Sequence, residues 1–425
     1  MAREYKDSGI EWIGQIPKDW EVCRFKNFLS LFSIPSTSET KIGLENIESE
    51  TGKFIKTEGK FEGNGTHFCK GDILYGKLRP YLKKVWLSTF EGNAVGDFFV
   101  FRVKDIACSN YIKWLLLSDG YTEAVNSSVY GAKMPRVSSE FIMTLPFYLP
   151  SFSEQQKIAD YLDKVCGEVD EMVALQETMI EELKAYKQSV ITEAVTKGLD
   201  PNVPMRNSGI DWIGEIPEHW EAKKLKYIVD YIESGTSVNA GNVPAQANEY
   251  GVLKTSAVSK YVFDATENKT VVSEEMDKVS CPVRKNTIIV SRMNTPELVG
   301  ACGYVEKNYD NIFLPDRLWQ VHFVDTVYVK YIWYALRGSN IRNYYSSLSV
   351  GSSSSMQNIS QSQFSNGSIP IPNDVEEQCA ITSYLDTKCS EIDSLIDLKQ
   401  AKIEELKEYK KSVIYEYVTG KKEIV

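Results

Sequence analysis

A chain of 425 residues, 43% hydrophobic, 12% aromatic and 25% charged, is long enough for about three domains and carries enough apolar material for a sizeable core. That composition excludes a disordered, collagen-like or small disulfide-stapled protein. A formal charge of −10 argues against a self-sufficient binder of polyanions.

Residues 1–7 lead into no apolar run, so no signal peptide is expected, and no uncharged apolar stretch approaches the ~18 residues that span a bilayer. The first marked element is Lys6 to Lys26, KDSGIEWIGQIPKDWEVCRFK, which returns at Arg206 to Lys226 as RNSGIDWIGEIPEHWEAKKLK, identical at 11 of 21 positions. Trp12, Trp20, Trp212 and Trp220 recur in the two copies and read as packing residues rather than base-stacking platforms. Residues 29–150 and 229–372 follow the two copies and resemble each other only faintly. Asp72 to Tyr75, Phe98 to Val103 and Thr287 to Val290 are strand-like in their β-branched and aromatic content, and Tyr111 to Leu117 and Tyr328 to Leu336 are short helical patterns. Gly71 to Pro80 (GDILYGKLRP) aligns with Asn286 to Thr295 (NTIIVSRMNT). Both put a strand before a loop holding a basic residue, Lys77 or Arg292.

A second block, Glu154 to Thr196, returns at Glu377 to Thr419 with 23 of 43 positions identical. In the first copy positions 158, 162, 165, 169, 172, 176, 179, 183, 186 and 190 step by four and three, which predicts a supercoiled helix seam. Ser153 with Gln156 is the expected capping box of the first helix, and Asp374 with Glu377 that of the second. Gly198 and Gly420 are the expected stops. Lys388, Lys399 and Lys402 fall at seam positions of the second copy, beside Cys389, Leu398 and Ile403. Residues 151–198 hold ten acids and five bases and residues 373–419 eleven and six, which leaves 37 of each elsewhere. The helices therefore carry the whole charge imbalance, and an acidic coil suits docking of a basic partner. The domains predicted are residues 1–150, 151–198, 199–372 and 373–425.

Eight scattered cysteines without a C-x-x-C pair read as free thiols in a reducing cytosol, so a cytoplasmic location is expected. His67, His219 and His322 lie too far apart in sequence for a His-rich metal site. There is no phosphate-binding loop, dinucleotide fingerprint, nucleophile elbow or H-E-x-x-H. An enzyme is not expected, and no metal site or cofactor is predicted in this chain.

The paired openings SGIEWIGQIPKDWE and SGIDWIGEIPEHWE resemble the specificity subunits of Type I restriction–modification systems. So do the paired helices EQQKIADYLD…IEELKAYKQSVITEAVTKG and EQCAITSYLD…IEELKEYKKSVIYEYVTG, and the likeness covers the whole chain in the family's order. The resemblance implies an α+β fold: two globular target-recognition domains separated by two long antiparallel coiled-coil helices, with a pseudo-twofold internal repeat. It implies a non-catalytic DNA-recognition subunit that reads a bipartite target, one domain per half-site, with the helices as ruler and docking site. Double-stranded DNA, two methyltransferase subunits and restriction subunits are the implied partners. S-adenosylmethionine, ATP and magnesium belong to those partners. GDILYGKLRPYLKK (71–84) also resembles a stretch found in the family's recognition domains.

Phosphate and base contacts come from Lys, Arg, Asn, Gln and Ser on loops. The candidates are Lys77, Arg79, Lys83 and Lys84 in the first domain. In the second they are Lys254, Arg292 and Asn294, with Ser354 and Gln357 in the polar loop Ser353 to Asn358. The competing reading is a tandem adaptor scaffold on a coiled-coil spine, without DNA.

Overall fold

A computed structural model describes residues 3–36, 39–59, 61–129, 134–351 and 356–424. Its contacts divide the chain into two compact units, Met1–Thr178 with Lys399–Val425, and Met179–Leu398. Each unit holds one of the two variable segments together with stretches of both long helices.

In the first unit an antiparallel sheet runs Leu29–Phe32, Phe98–Val103, Ile73–Gly76, Val85–Leu87. Its inner strand Ile73–Gly76 is buried along its whole length and reads as a continuous apolar run because both its faces are covered. Leu74, Trp86, Phe98 and Val100 face one core with Ile42, Phe68 and Ala94, while Ile73, Tyr75, Val85 and Phe101 join the core that includes Ile158, Leu162 and Val418 of the long helices. A second sheet is ordered Pro35–Ser36, Gly65–Phe68, Gly92–Ala94, Lys41–Ile42, its last pair parallel.

The second unit repeats the plan. Val229–Ser234, Leu318–Phe323, Thr287–Ser291 and Cys302–Val305 form the antiparallel sheet. Asn268–Thr270, Gly251–Leu253, Tyr309–Phe313 and Pro282–Val283 form the other, again with a parallel pair inside it. The register is preserved: Gly76 stands opposite Phe98, and Ser291, its counterpart, opposite Leu318. Helices Ser109–Leu117 and Val329–Arg337 lie where the helical patterns predict.

Each variable segment enters and leaves through one two-stranded ladder, Glu21–Arg24 with Pro146–Leu149 and Trp220–Lys224 with Ser368–Pro372. The long helices begin just beyond, Phe152–Lys197 and Val375–Val418, and Gly198 (φ +76°) and Gly420 (φ +68°) turn the chain out of them. Residues of the repeated motif lock these starts. Trp20 and Trp220 are fully buried and donate their indole N–H to Glu154 (3.2 Å) and Glu377 (3.0 Å). Gln155 accepts from the Cys108 backbone N–H (2.7 Å) and donates to the Pro150 carbonyl (2.9 Å); Gln378 makes the same two bonds to Tyr328 and Pro372 (2.8 and 2.9 Å).

The caps differ from the sequence reading. Ser151, not Ser153, caps the first helix, accepting from the Glu154 N–H at 3.3 Å, because the helix already starts at Phe152. Asp374 does cap the second (Glu376 N–H, 2.9 Å), but Glu377 is taken by Trp220 and His219 rather than by a capping box.

The seam keeps its spacing and shifts its phase. Val169 and Val190 are buried, but midway along the first helix Cys166 and Ile180 are buried whereas Met172 and Tyr186 are exposed, so the stripe runs through 166, 173, 180 and 187. On the second helix Cys389, Ile392, Ile403 and Leu406 face inward. Lys399 also lies in this stripe, donating to Gln176 (3.2 Å), while Leu398 is exposed and Lys388 and Lys402 turn out to Glu391 and Glu405. Within the first unit the two helices run antiparallel, as Tyr161 packing against Tyr417, Lys410 bonding Asp170 (2.6 Å) and Lys399 bonding Gln176 require. No helix among the described residues is long and apolar enough to cross a membrane.

Candidate nucleic-acid interface

Five of the predicted site residues, Lys77 and Arg79 in the first unit and Arg292, Asn294 and Gln357 in the second, gather at one corner of their unit, where an inner strand of the antiparallel sheet runs into a loop. In the second unit that strand is Thr287–Ser291, and the chain returns beside its continuation. Met293 pairs with Asn358 and Asn294 with Gln357, while the Ile359 N–H donates to the Arg292 carbonyl at 3.1 Å. Arg292, Asn294 and Gln357, distant in sequence, thus share one corner. Ser354 lies outside the described residues. Arg292, Asn358, Ser360, Gln361 and Gln363 line a recess of about 380 Å³ whose floor includes Trp319. Arg292 Nε and Asn358 Oδ1 are buried there without a hydrogen-bond partner. An unmet donor and an unmet acceptor are costly in a closed interior and suit a wall that takes a polar ligand.

Lys254 lies in a neighbouring cleft of about 440 Å³ together with Lys269 and Arg317. Its ammonium is 3.5 Å from Glu267, a carboxylate held below its ordinary range by the Ser256 hydroxyl and by Lys254. The Arg292 N–H donates to the Arg317 carbonyl (3.1 Å), which joins cleft and recess.

The first unit builds the same corner with different side chains. The Lys77 N–H donates to the Asp97 carbonyl (2.9 Å), the Arg79 N–H to that of Pro135 (2.7 Å), and the Val137 N–H to that of Lys77 (3.1 Å). Lys77, Arg79, Arg136 and Asp97 therefore occupy the places of Arg292, Asn294, Asn358 and Arg317. Arg79 is exposed and held at φ +50°, at the start of the turn Pro80–Leu82. The Lys77 ammonium lies 3.8 Å from Asp97 and over Phe99 at 5.7 Å.

Lys83 and Lys84 do not join this corner. Lys83 is buried and paired with Asp119, and the Lys84 ammonium donates to the carbonyls of Leu44 (2.7 Å) and Ile47 (2.8 Å), closing the turn Leu44–Asn46. Among the described residues no group of three or more His, Cys, Asp or Glu is placed to hold a metal ion.

The family model described as the Type I restriction modification DNA specificity domain matches residues 17–185 and again 217–408. The chain belongs to that family. The two matched stretches cover most of the sequence and coincide with the internal repeat. The EcoEI specificity subunit of Escherichia coli is 23% identical over 86% of this chain and 75% of its own length. The MjaVIII specificity subunit of Methanocaldococcus jannaschii is 27% identical over about half of each chain, 52% and 51%. A chain solved in work on "complex assembly and conformational transition of the type I R-M system" shares the fold at a TM-score of 0.74 and 18% identity, over 95% of this chain and 98% of that one.

For this specificity-domain protein, reading the sequence missed Asp97, Arg136, Lys269, Arg317, Gln361 and Gln363, while Asn358 fell at the end of the polar loop already singled out. A signal for part of the set was present. Met134-Pro135-Arg136-Val137-Ser138 and Met356-Gln357-Asn358-Ile359-Ser360 share Met, a β-branched residue and Ser at one spacing. Both serines cap the short helix that follows, accepting at 3.1 Å from Phe141 and Gln363.

Proposed function

We propose that this chain is the specificity subunit of a Type I restriction–modification complex, reading a two-part DNA target with one unit per half. The observation that carries the proposal is the corner built twice on one backbone register with unlike side chains, Lys77, Arg79 and Arg136 in one and Arg292, Asn294 and Asn358 in the other. A common frame with divergent polar side chains suits two readers of different sequences, because position is set by the frame and discrimination by the groups that meet base edges.

Arg79, Arg292, Asn294 and Gln357 are the candidates for base edges. Lys77, Lys254, Lys269 and Arg317 are the candidates for phosphates. The inward engagement of Lys83 and Lys84 assigns them to holding the loop that presents Arg79. The long helices, 46 and 44 residues and therefore ~65–70 Å each, suit the roles of ruler and docking surface for two methyltransferase subunits. Adenine methylation with S-adenosylmethionine, and cleavage with ATP and magnesium in restriction subunits, are assigned to those partners, and this chain is assigned no catalysis. Its eight cysteines, all free, fit a working place in the cytoplasm.

Mapping methylated adenines in cells that express the chain with its methyltransferase subunit tests the reading. A two-part motif with a fixed gap is expected. Methylation without any motif, or a motif unchanged by Arg292→Ala together with Arg79→Ala, rules it out.

A further inference from the structure

The four matched positions carry the same formal charge in the two corners, but they pair it differently. In the first unit Asp97 gathers two of the corner's three cations: Arg136 makes a two-pronged bond to its carboxylate (3.3 and 3.0 Å), and the Lys77 ammonium stands 3.8 Å away. At the same point of the second unit, fixed by the same backbone hydrogen bond, the residue is Arg317. The change replaces a negative charge with a positive one where the loops converge. Among the described residues no acidic side chain lines the recess of Arg292 and Asn358, and none lines the cleft of Lys254, Lys269 and Arg317. Within the same described residues Lys254 is ion-paired only to Glu267, and Lys269, Arg292 and Arg317 form no ion pair. The unmet Arg292 Nε and Asn358 Oδ1 belong to this corner as well, whereas the first unit's Arg136 is already bonded.

We infer that the two units divide the work electrostatically: the second is the phosphate anchor of the subunit, and the first a reader in which Asp97 holds Lys77 and Arg136 in check and leaves Arg79 exposed. The inference rests on the DNA-reading assignment and adds to it a specific inequality between the units. Each cation that neutralises a phosphate releases counterions and steepens the fall of affinity with salt, by about one unit of the log–log slope. A cation already paired with a carboxylate contributes much less. The second unit should therefore supply most of the salt dependence.

The test is binding of the full-length chain to a mixed-sequence duplex, followed across a salt series. Arg317→Gln and Lys269→Gln, both at positions without an ion pair, are each expected to flatten the slope by about one and weaken binding several-fold. Asp97→Asn is expected to do the reverse, steepening the slope as Lys77 becomes available. Thermal melts identify any variant that loses its fold, and Arg317→Lys, which keeps the charge, should retain the wild-type slope. Equal slopes in wild type, Arg317→Gln and Lys269→Gln overturn the inference, as does an Asp97→Asn slope no steeper than wild type. A wild-type chain that binds no duplex at any salt overturns the DNA-reading assignment as well; motif-specific binding with unchanged slopes overturns the division of labour alone.

Discussion

Asp72 is a nearly buried carboxylate with three donors: the Arg102 guanidinium in two bonds (2.8 Å each) and the Cys69 N–H (2.8 Å). Arg102 also lies over Phe32 at 3.8 Å, and its bonds to Asp72 raise its pKa. Asp72→Ala strips partners from a part-buried N–H and from a guanidinium, and should cost roughly 3 kcal/mol, read by urea denaturation. At the matching positions of the second unit stand Thr287 and His322, and a different cluster takes over. Glu233 accepts from Gln320 (2.9 Å) and contacts His322 (2.9 Å). Burial alone would raise its pKa, yet the bonds to Gln320 and His322 outweigh burial and leave it below the ordinary value. A depressed carboxyl stabilises the fold above the pKa of the unfolded chain and loses that contribution as pH falls through the folded pKa. Wild type should therefore be more stable than Glu233→Gln near neutrality, and the gap in melting temperature should close as pH falls below about 4.5. At this scale little was legible in the sequence. Lys83 and Lys84 look like any basic pair after a strand, and only the fold places Asp119 and the Leu44 and Ile47 carbonyls beside them.

Among the elements, the long helices were the most legible, because a 3.5-residue spacing sustained over ten positions is the period of supercoiled helices and of little else. Their phase was not legible. Positions 165, 172, 179 and 186 carry Val, Met, Met and Tyr; 166, 173, 180 and 187 carry Cys, Val, Ile and Lys, and both stripes keep the same period. Composition favours the first stripe, and packing selected the second. Ile180→Ala should accordingly cost about 2–4 kcal/mol, while Tyr186→Ala on the exposed face should cost little, in parallel denaturant titrations. The Glu-Gln pair that opens each helix block offered no reason in sequence for its recurrence. Its reason is long-range: Gln155 and Gln378 each join the helix start to the N-terminal end of a short helix. Gln155→Ala leaves the Cys108 N–H without its acceptor and should cost about 2 kcal/mol.

For the whole molecule, the repeat reported the architecture before any strand could be placed. Two copies of a framework around two unlike segments require one fold used twice. What the sequence withheld was strand order, since the parallel pairs Lys41–Ile42 with Gly92–Ala94 and Gly251–Leu253 with Tyr309–Phe313 join stretches about fifty and about sixty residues apart with little shared sequence. Replacing residues 29–150 with the segment of another family member should change one half of the methylated motif and leave the other half as it was, as genomic methylation mapping would report.

The ladders at the base of each unit carry that expectation further. The strand that admits a variable segment and the strand that releases it are hydrogen-bonded neighbours, so the frame fixes where a segment starts and stops and not how long it is. Closing a longer excursion between two adjacent points costs only slowly more entropy. Genetic exchange with crossovers in the paired framework stretches would deliver a foreign segment with its ends already in place. New sequence preferences could then be acquired by transplantation rather than by gradual change.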